Sequence, residues 1–300
     1  MKDNSAKSVT DYINRLKLHF HATGLEFLKD TADVIDFMEK TPTRLGSLPS
    51  NNSLKTYYAH IVSAIRDSND AGMASALEVY RKKMMDKKSV VVEQALTQVT
   101  TEAERSKWAS WADIIKTRDQ LKEKAKDFKS FQNYLVVCLY TMIEPQRLDF
   151  APMRFVSTVP TVAEGERNFN ICHITDTGAT FIFNEFKTKE WYEKRYGETK
   201  KIVAPAELFA VLSLWREKYN HKEWLLLKLD EVTPITEKTL GQRIQAIFET
   251  EMKVPVSVDI LRHAFISHRR AGEMSITDKA VMAKNMGHSE GTNELYRRIA

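Results

Sequence analysis

Apolar positions in the first ninety residues recur every three to four places, the spacing of one face of an α-helix. Ser8 or Thr10 caps a first such stretch, which carries Tyr12-Ile13, Leu16, Leu18 and Phe20. A second, Thr31 to Glu39, presents Val34, Ile35, Phe37 and Met38. Between Thr41 and Asn52 the pattern breaks at Pro42, Gly46, Pro49 and the Asn51-Asn52 pair, all turn formers. Ser53 opens a third helix with Leu54, Tyr57-Tyr58, Ile61-Val62 and Ile65 on one side, and a fourth runs from Ala74 through Met85. Three or four such helices predict a small helical domain over residues 1–100, linker included.

Residues 89–106 are polar with a helical pattern, and the domain boundary is expected among them. Trp108 and Trp111 stand three apart with Ile114 and Ile115, as packing anchors or, less simply, as stacking groups for a base. Phe128 to Met142 is the most apolar stretch and predicts a central core helix, ended by Glu144-Pro145 because proline cannot continue the backbone ladder. From Met153 the period shortens to two. Phe155-Val156 with Val159, Phe169 with Ile171, and Thr180 to Phe183 predict three short strands, with turns at Gly165 and Thr177-Gly178. Ile202-Val203 resumes a strand, Pro205 starts a helix, and Trp224 to Leu229 is a short strand or buried turn. Thr236 caps a helix to Met252 whose Lys238, Gln242 and Arg243 are expected to face out. The predicted class is α+β and mainly helical. The second domain, residues 101–300, is mixed, with a small antiparallel sheet.

Composition narrows this picture only a little. The net charge is +5 and the pI near 8.9, which permits a polyanionic partner without demanding one. Cys138 and Cys172 both lie in apolar settings and fit a reducing, intracellular compartment. The start of the chain has no apolar signal region, and no stretch approaches the length of a membrane span. No P-loop, H-E-x-x-H or paired-cysteine pattern occurs, so neither a metal nor another cofactor is expected. His263, His268 and His288 fit no common metal spacing.

The chemistry is concentrated after Val258. Leu261, Arg262, His263 and Phe265 form an L-R-H-x-F pattern. Gly287-His288-Ser289 follows, and Tyr296 comes eight positions after His288. Upstream, Gln146-Arg147-Leu148-Asp149 follows the most apolar helix, and Phe186-Lys187-Thr188-Lys189 follows the strands. In this order the segments resemble the tyrosine recombinase (phage integrase) family, in the forms carried by mobile elements or large DNA viruses. The motifs span roughly residues 105–300; the amino-terminal helices resemble the family's DNA-clamping domain in size and position only.

The resemblance implies that Arg147, with Asp149 or Glu144 behind it, and Arg262 are the two catalytic arginines. Lys187 is the implied catalytic lysine (Lys189 the less favoured neighbour), His288 the motif histidine and Tyr296 the nucleophile. Two guanidinium forks suit the charge that gathers on the non-bridging oxygens of a phosphodiester under attack. A lysine of lowered pKa can protonate the leaving 5′-oxygen. A tyrosine, ordinarily titrating near 10, needs such a cationic pocket to react near neutrality. The product would be a 3′-phosphotyrosyl bond, formed with no metal or nucleotide.

Two features depart from the family. Its further histidine, three residues before the second arginine, is here Asp259, which cannot donate to a phosphate oxygen while ionised but could orient Arg262 or Lys187 or take a proton from Tyr296. Only four residues follow Tyr296, where relatives usually continue into a tail helix that docks on a neighbouring protomer.

The resemblance further implies double-stranded DNA as partner. It implies a homo-tetramer on synapsed DNA and a monomer or weak oligomer when free. Lys82, Lys83, Lys87, Lys88, Lys189, Arg243, Arg269 and Arg270 are candidate phosphate contacts, though each could equally be a solvated charge. Two rivals use the same residues: relaxation of supercoils by a type IB topoisomerase-like enzyme, and a DNA-binding protein that kept the fold without activity.

Overall fold

The computed structural model describes residues 2–43, 46–159, 169–219 and 223–299. The expected turn at Gly165 lies outside them. The chain divides into two compact units, Met1–Thr97 and Gln98–Ala300.

In the first unit four helices enclose their own core. These are α1 (Lys2–His19), α2 (Thr31–Lys40), α3 (Asn51–Ser68) and α4 (Ala74–Leu96). Asp30 and Ser50 cap α2 and α3 by accepting backbone N–H bonds from Asp33 and Ser53, groups that have no partner within the helix. Tyr12, Ile13 and Leu16 of α1 pack with Val34, Met38, Tyr58, Ile61, Val62, Ile65 and Tyr80. Two of the buried tyrosines satisfy their hydroxyls. Tyr80 donates to the Leu28 carbonyl at 3.0 Å and Tyr58 to Glu39 at 2.8 Å.

The second unit begins with two helices, α5 (Glu102–Arg105) and α6 (Trp111–Lys124), and continues with α7 (Phe128–Thr141). Trp108 precedes α6 instead of sharing its face, because Ser110 caps that helix by accepting from Asp113 N–H. Trp111 packs edge-on against Phe265, as a packing anchor should. α7 opens on a capping box of Asp127 and Ser130, and from Leu135 to Tyr140 every side chain is buried.

A four-stranded sheet follows in the order β1 (Met153–Val156), β2 (Asn170–Ile174), β3 (Ala179–Phe183) and β4 (Lys200–Val203). It is mixed, not wholly antiparallel as predicted. β1 and β2 run parallel, with Met153 opposite Asn170, while β2–β3 and β3–β4 are antiparallel. Alternation sets which side chains point inward but carries no information on the direction in which neighbours pair. A short helix, α8 (Lys189–Tyr196), lies between β3 and β4, and Gly197 ends it in the left-handed conformation.

The remaining helices are α9 (Ala206–Lys218), α10 (Glu237–Met252), α11 (Val258–Arg269), α12 (Ile276–Asn285) and α13 (Glu290–Tyr296). The unit is therefore an α+β domain, mainly helical, with a small sheet. Among the described residues no helix is long and apolar enough to cross a membrane.

Candidate functional site

Three local structures aim the site. The first is the turn after α7. Tyr140 is buried on that helix and donates its hydroxyl to the Arg147 carbonyl at 2.6 Å, which fixes the backbone from which Arg147 projects. Asn285 donates to Glu144 at 3.1 Å, tying the same turn to the end of α12.

The second is α11, capped by Ser257, which accepts from Ile260 N–H. Arg262 lies one turn in and is wholly buried, at 0% exposure. Its Nε and Nη1 are buried and meet no hydrogen-bond partner among the described residues.

The third is the Gly-His-Ser turn between α12 and α13. Gly287 sits at φ +66°, a conformation glycine adopts without steric cost, and its N–H bonds back to the Lys284 carbonyl at 2.9 Å to close α12. A Cβ on Gly287 would stand 3.3 Å from Thr188 Oγ1. Ser289 then caps α13 by accepting from Thr292 N–H. The turn thus ends one helix, starts the next, and leaves His288 between them at 2% exposure.

These three structures converge. Arg147 Nη2 stands 3.4 Å from His288 Nε2, and Arg262 Nη2 makes a short contact to the same nitrogen. His288 Nδ1 is 2.7 Å from Asn293 Oδ1, an acceptor, so the ring proton sits on Nδ1 and Nε2 offers its lone pair to both guanidiniums. Burial first, then the charges of Arg262, Arg147 and Lys200, push the His288 pKa down to about 3. The Tyr296 ring completes the group. It lies 5.1 Å from the Arg262 guanidinium carbon and 4.8 Å from the His288 ring.

A lysine does enter this group, but it is Lys200. It lies on β4 at 1% exposure, with Nζ 2.8 Å from Gln146 Oε1, 4.0 Å from Asp149 Oδ2 and over the rings of Phe183 and Phe186. Burial lowers its pKa to about 8, against the pull of Asp149 and with the push of Arg262 and Arg147. Lys187 is exposed, just before α8. Strand alternation puts Lys200 on the same face as Ile202, an inward position for a charged residue. That was the signal in the sequence, but an apolar neighbour two places away is too weak to read without the fold.

The other predicted residues separate. Asp259 is exposed in the first turn of α11, where a carboxylate suits the positive helix end, and it bonds to none of Arg262, Lys187 or Tyr296. Arg243 does not face out. It turns inward to donate to the Leu227 carbonyl at 3.3 Å. Arg270 is paired with Glu294, while Arg269 is exposed. Lys189 pairs with Glu185 at 3.2 Å. On α4, Lys83 and Lys87 face Glu39 of the same unit at 3.7 and 3.2 Å, leaving Lys82 and Lys88 exposed.

Among solved structures the chain is similar to a crystal structure of XerA recombinase, with a TM-score of 0.43 and 12% identity over 100% of this chain and 95% of that one. It is also similar to a structure of the Tn1549 transposon integrase in complex with transposon right end DNA, with a TM-score of 0.40 and 11% identity over 97% of this chain and 95% of that one. Both are distant likenesses. No protein-family model and no curated protein matches the chain.

Proposed function

We infer that the second unit cuts and rejoins DNA strands through Tyr296, as a site-specific recombinase or integrase of the tyrosine type. The observation that carries this reading is the convergence of Arg147 and Arg262 on His288 Nε2 beside the Tyr296 ring. Two guanidiniums directed at one acceptor, one of them buried with its Nε and Nη1 meeting no partner among the described residues, form a receptor for an oxyanion. A phosphodiester oxygen is an acceptor of that kind, and the nucleophile stands beside it.

In this scheme the Tyr296 oxygen attacks phosphorus, a P–O(Tyr) bond forms and the P–O5′ bond breaks. The product is a 3′-phosphotyrosyl end and a free 5′-hydroxyl. Arg147 and Arg262 turn from His288 to the non-bridging oxygens, which gather charge as the bond forms. That frees His288 Nε2 to assist movement of the tyrosine proton away from the nucleophile to solvent. The leaving oxygen needs a proton from a lysine. The motif names Lys187, and the geometry favours Lys200. The exposed Lys82 and Lys88 of α4 would contribute sequence-independent contacts to the duplex backbone. A second reading, a DNA-binding protein without cleavage, draws on the exposure of both Asp259 and Lys187.

The test is a nicked suicide duplex, from which a cleaved strand falls away, drawn from DNA flanking the gene. A covalent adduct with wild-type protein, lost in Tyr296→Phe, is the expected result. An adduct that survives the substitution would remove Tyr296 from the mechanism. Tight, salt-sensitive binding with no adduct would favour the non-cleaving reading. Relaxation of supercoils without synapsis would point to the topoisomerase-like activity instead of recombination in a tetramer.

A further inference from the structure

Tyr296 is the last residue of α13, a helix of 7 residues. Two turns of helix do not hold themselves together in water, since nucleation costs more than so few hydrogen bonds return. The position of the Tyr296 ring must therefore be set by what grips the helix end. Arg298, two residues further on, does so together with Glu104 and His263 from distant parts of the sequence. Arg298 Nη2 donates to Glu104 Oε1 at 2.8 Å, and its Nε lies 3.3 Å from both carboxylate oxygens. The same guanidinium donates through Nη1 to the Leu295 carbonyl at 2.8 Å and the Arg297 carbonyl at 3.1 Å, at the end of α13 where a cation is favoured. His263 Nδ1 donates to the Tyr296 carbonyl at 2.6 Å, and its ring stacks on the tyrosine with centroids 4.6 Å apart.

Glu104 is itself held. It closes the capping box of α5, accepting from Thr101 N–H at 2.8 Å while its own N–H bonds to Thr101 Oγ1 at 3.1 Å. Further tethers run beside it. Ile299 N–H donates to the Gln98 carbonyl at 2.7 Å, Gln98 Nε2 to the Glu294 carbonyl at 3.0 Å, and Arg298 N–H to Ser267 Oγ at 2.8 Å. Both partners of the central pair are largely shielded, with side-chain exposures of 11% and 18%. A two-bond, partly buried fork of this kind is directional in a way that exposed surface pairs are not.

We propose that Glu104 and Arg298, with His263, form a clamp that sets the Tyr296 ring against the arginine site, making Glu104 and Arg298 positioning residues for strand cleavage. The proposal rests on Tyr296 being the nucleophile. None of the three is assigned a contact with the reacting phosphate. They act on where the attacking oxygen stands. Displacing a reacting atom by about 1 Å can cost on the order of 100-fold in rate, so the clamp should affect cleavage far more than DNA affinity.

The experiment uses the full chain with 3-fluorotyrosine at position 296, compared as wild type, Arg298→Ala, Glu104→Ala and the milder Glu104→Gln. Cleavage of the suicide duplex is measured at saturating DNA, binding of the same duplex is measured separately, and a ¹⁹F spectrum is recorded on the free protein. Expected for both alanine variants are a loss of about 100-fold in adduct formation, duplex affinity within about two-fold, and a narrowed or shifted fluorine line. Glu104→Gln, which keeps an acceptor for Arg298, should lie between them and wild type. An unchanged fluorine line with wild-type cleavage in Arg298→Ala would overturn the clamp. So would an equal loss of affinity and rate, because that is what general unfolding of the unit gives. If wild-type protein forms no adduct, the nucleophile reading falls, and the fluorine comparison still decides whether the clamp holds the ring.

Discussion

Arg262 is wholly buried, and its Nε and Nη1 meet no partner among the described residues, which is costly for a folded protein and suits the proposed anion receptor. Its replacement should therefore separate stability from activity. Arg262→Met is expected to raise the urea midpoint of free protein by the equivalent of about 1–2 kcal/mol. Adduct formation should fall by about 100-fold or more, and a midpoint that drops would mean the guanidinium is already satisfied. Lys200 poses a related question. Its folded pKa, lowered to about 8, lies below the unfolded value of 10.5. Stability is then full above pH 10.5 and declines as pH falls towards 8, where the buried amine takes up its proton. Lys200→Met should abolish that slope in urea melts recorded across the window. If Lys200 also protonates the leaving oxygen, the same variant loses cleavage of an ordinary duplex by roughly 100-fold or more. It should recover on a duplex with sulfur as the 5′-bridging atom, because a thiolate leaves without a proton. The same rescue seen in Lys187→Met would return the role to the motif lysine.

At the scale of elements, the Gly-His-Ser turn and the α13 tether decide whether the site forms. Gly287→Ala would put a Cβ on a residue at φ +66° and within 3.3 Å of Thr188 Oγ1. The expected cost is about 1–2 kcal/mol, read as a lower Tm, with a larger fall in cleavage because His288 moves with the turn. The clamp also has a pH dependence of defined sign. Burial pushes the Glu104 carboxyl up, but the bonds from Arg298 and the Thr101 backbone outweigh it and hold the pKa below 4.5. The stabilisation is therefore present above the unfolded pKa of 4.5 and is lost as pH falls through the lower folded value. Trimming of the C-terminal residues by an acid-active carboxypeptidase should accelerate over that range in wild type. In Glu104→Ala it should be fast at every pH, and equal rates for the two proteins would show that the ion pair does not hold the tail.

For the whole molecule, a net charge of +5 matters less than where the cations are free. On α4, Lys83 and Lys87 already share Glu39, whereas Lys82 and Lys88 are exposed. Removing Lys82 or Lys88 should reduce the slope of log affinity against log salt by about 0.9 for each phosphate left without its cation. Removing Lys83 or Lys87 should change it less, as each is partly neutralised within its own unit. Equal effects at all four positions would mean that Glu39 releases its partners on DNA.

Much of this organisation was legible along the chain. The four amino-terminal helices, the apolar α7, the cap at Thr236 and the Gly-His-Ser turn are local features. Their causes are periodicity, capping and glycine backbone freedom, all properties of residues a few places apart. Arg147, Arg262, His288 and Tyr296 could be named for a different reason, because each sits in a short segment that resembles a family motif. Tertiary structure alone decided what depends on residues far apart in sequence. It brought Lys200 of β4 under Gln146 and left Lys187 in solvent. It turned Arg243 and Arg270 onto protein partners and made β1 and β2 parallel. It also set Glu104 against Arg298, a pair that is 194 residues apart. Burial and charge pairing are sums over neighbours in space, and a sequence lists neighbours only along the chain.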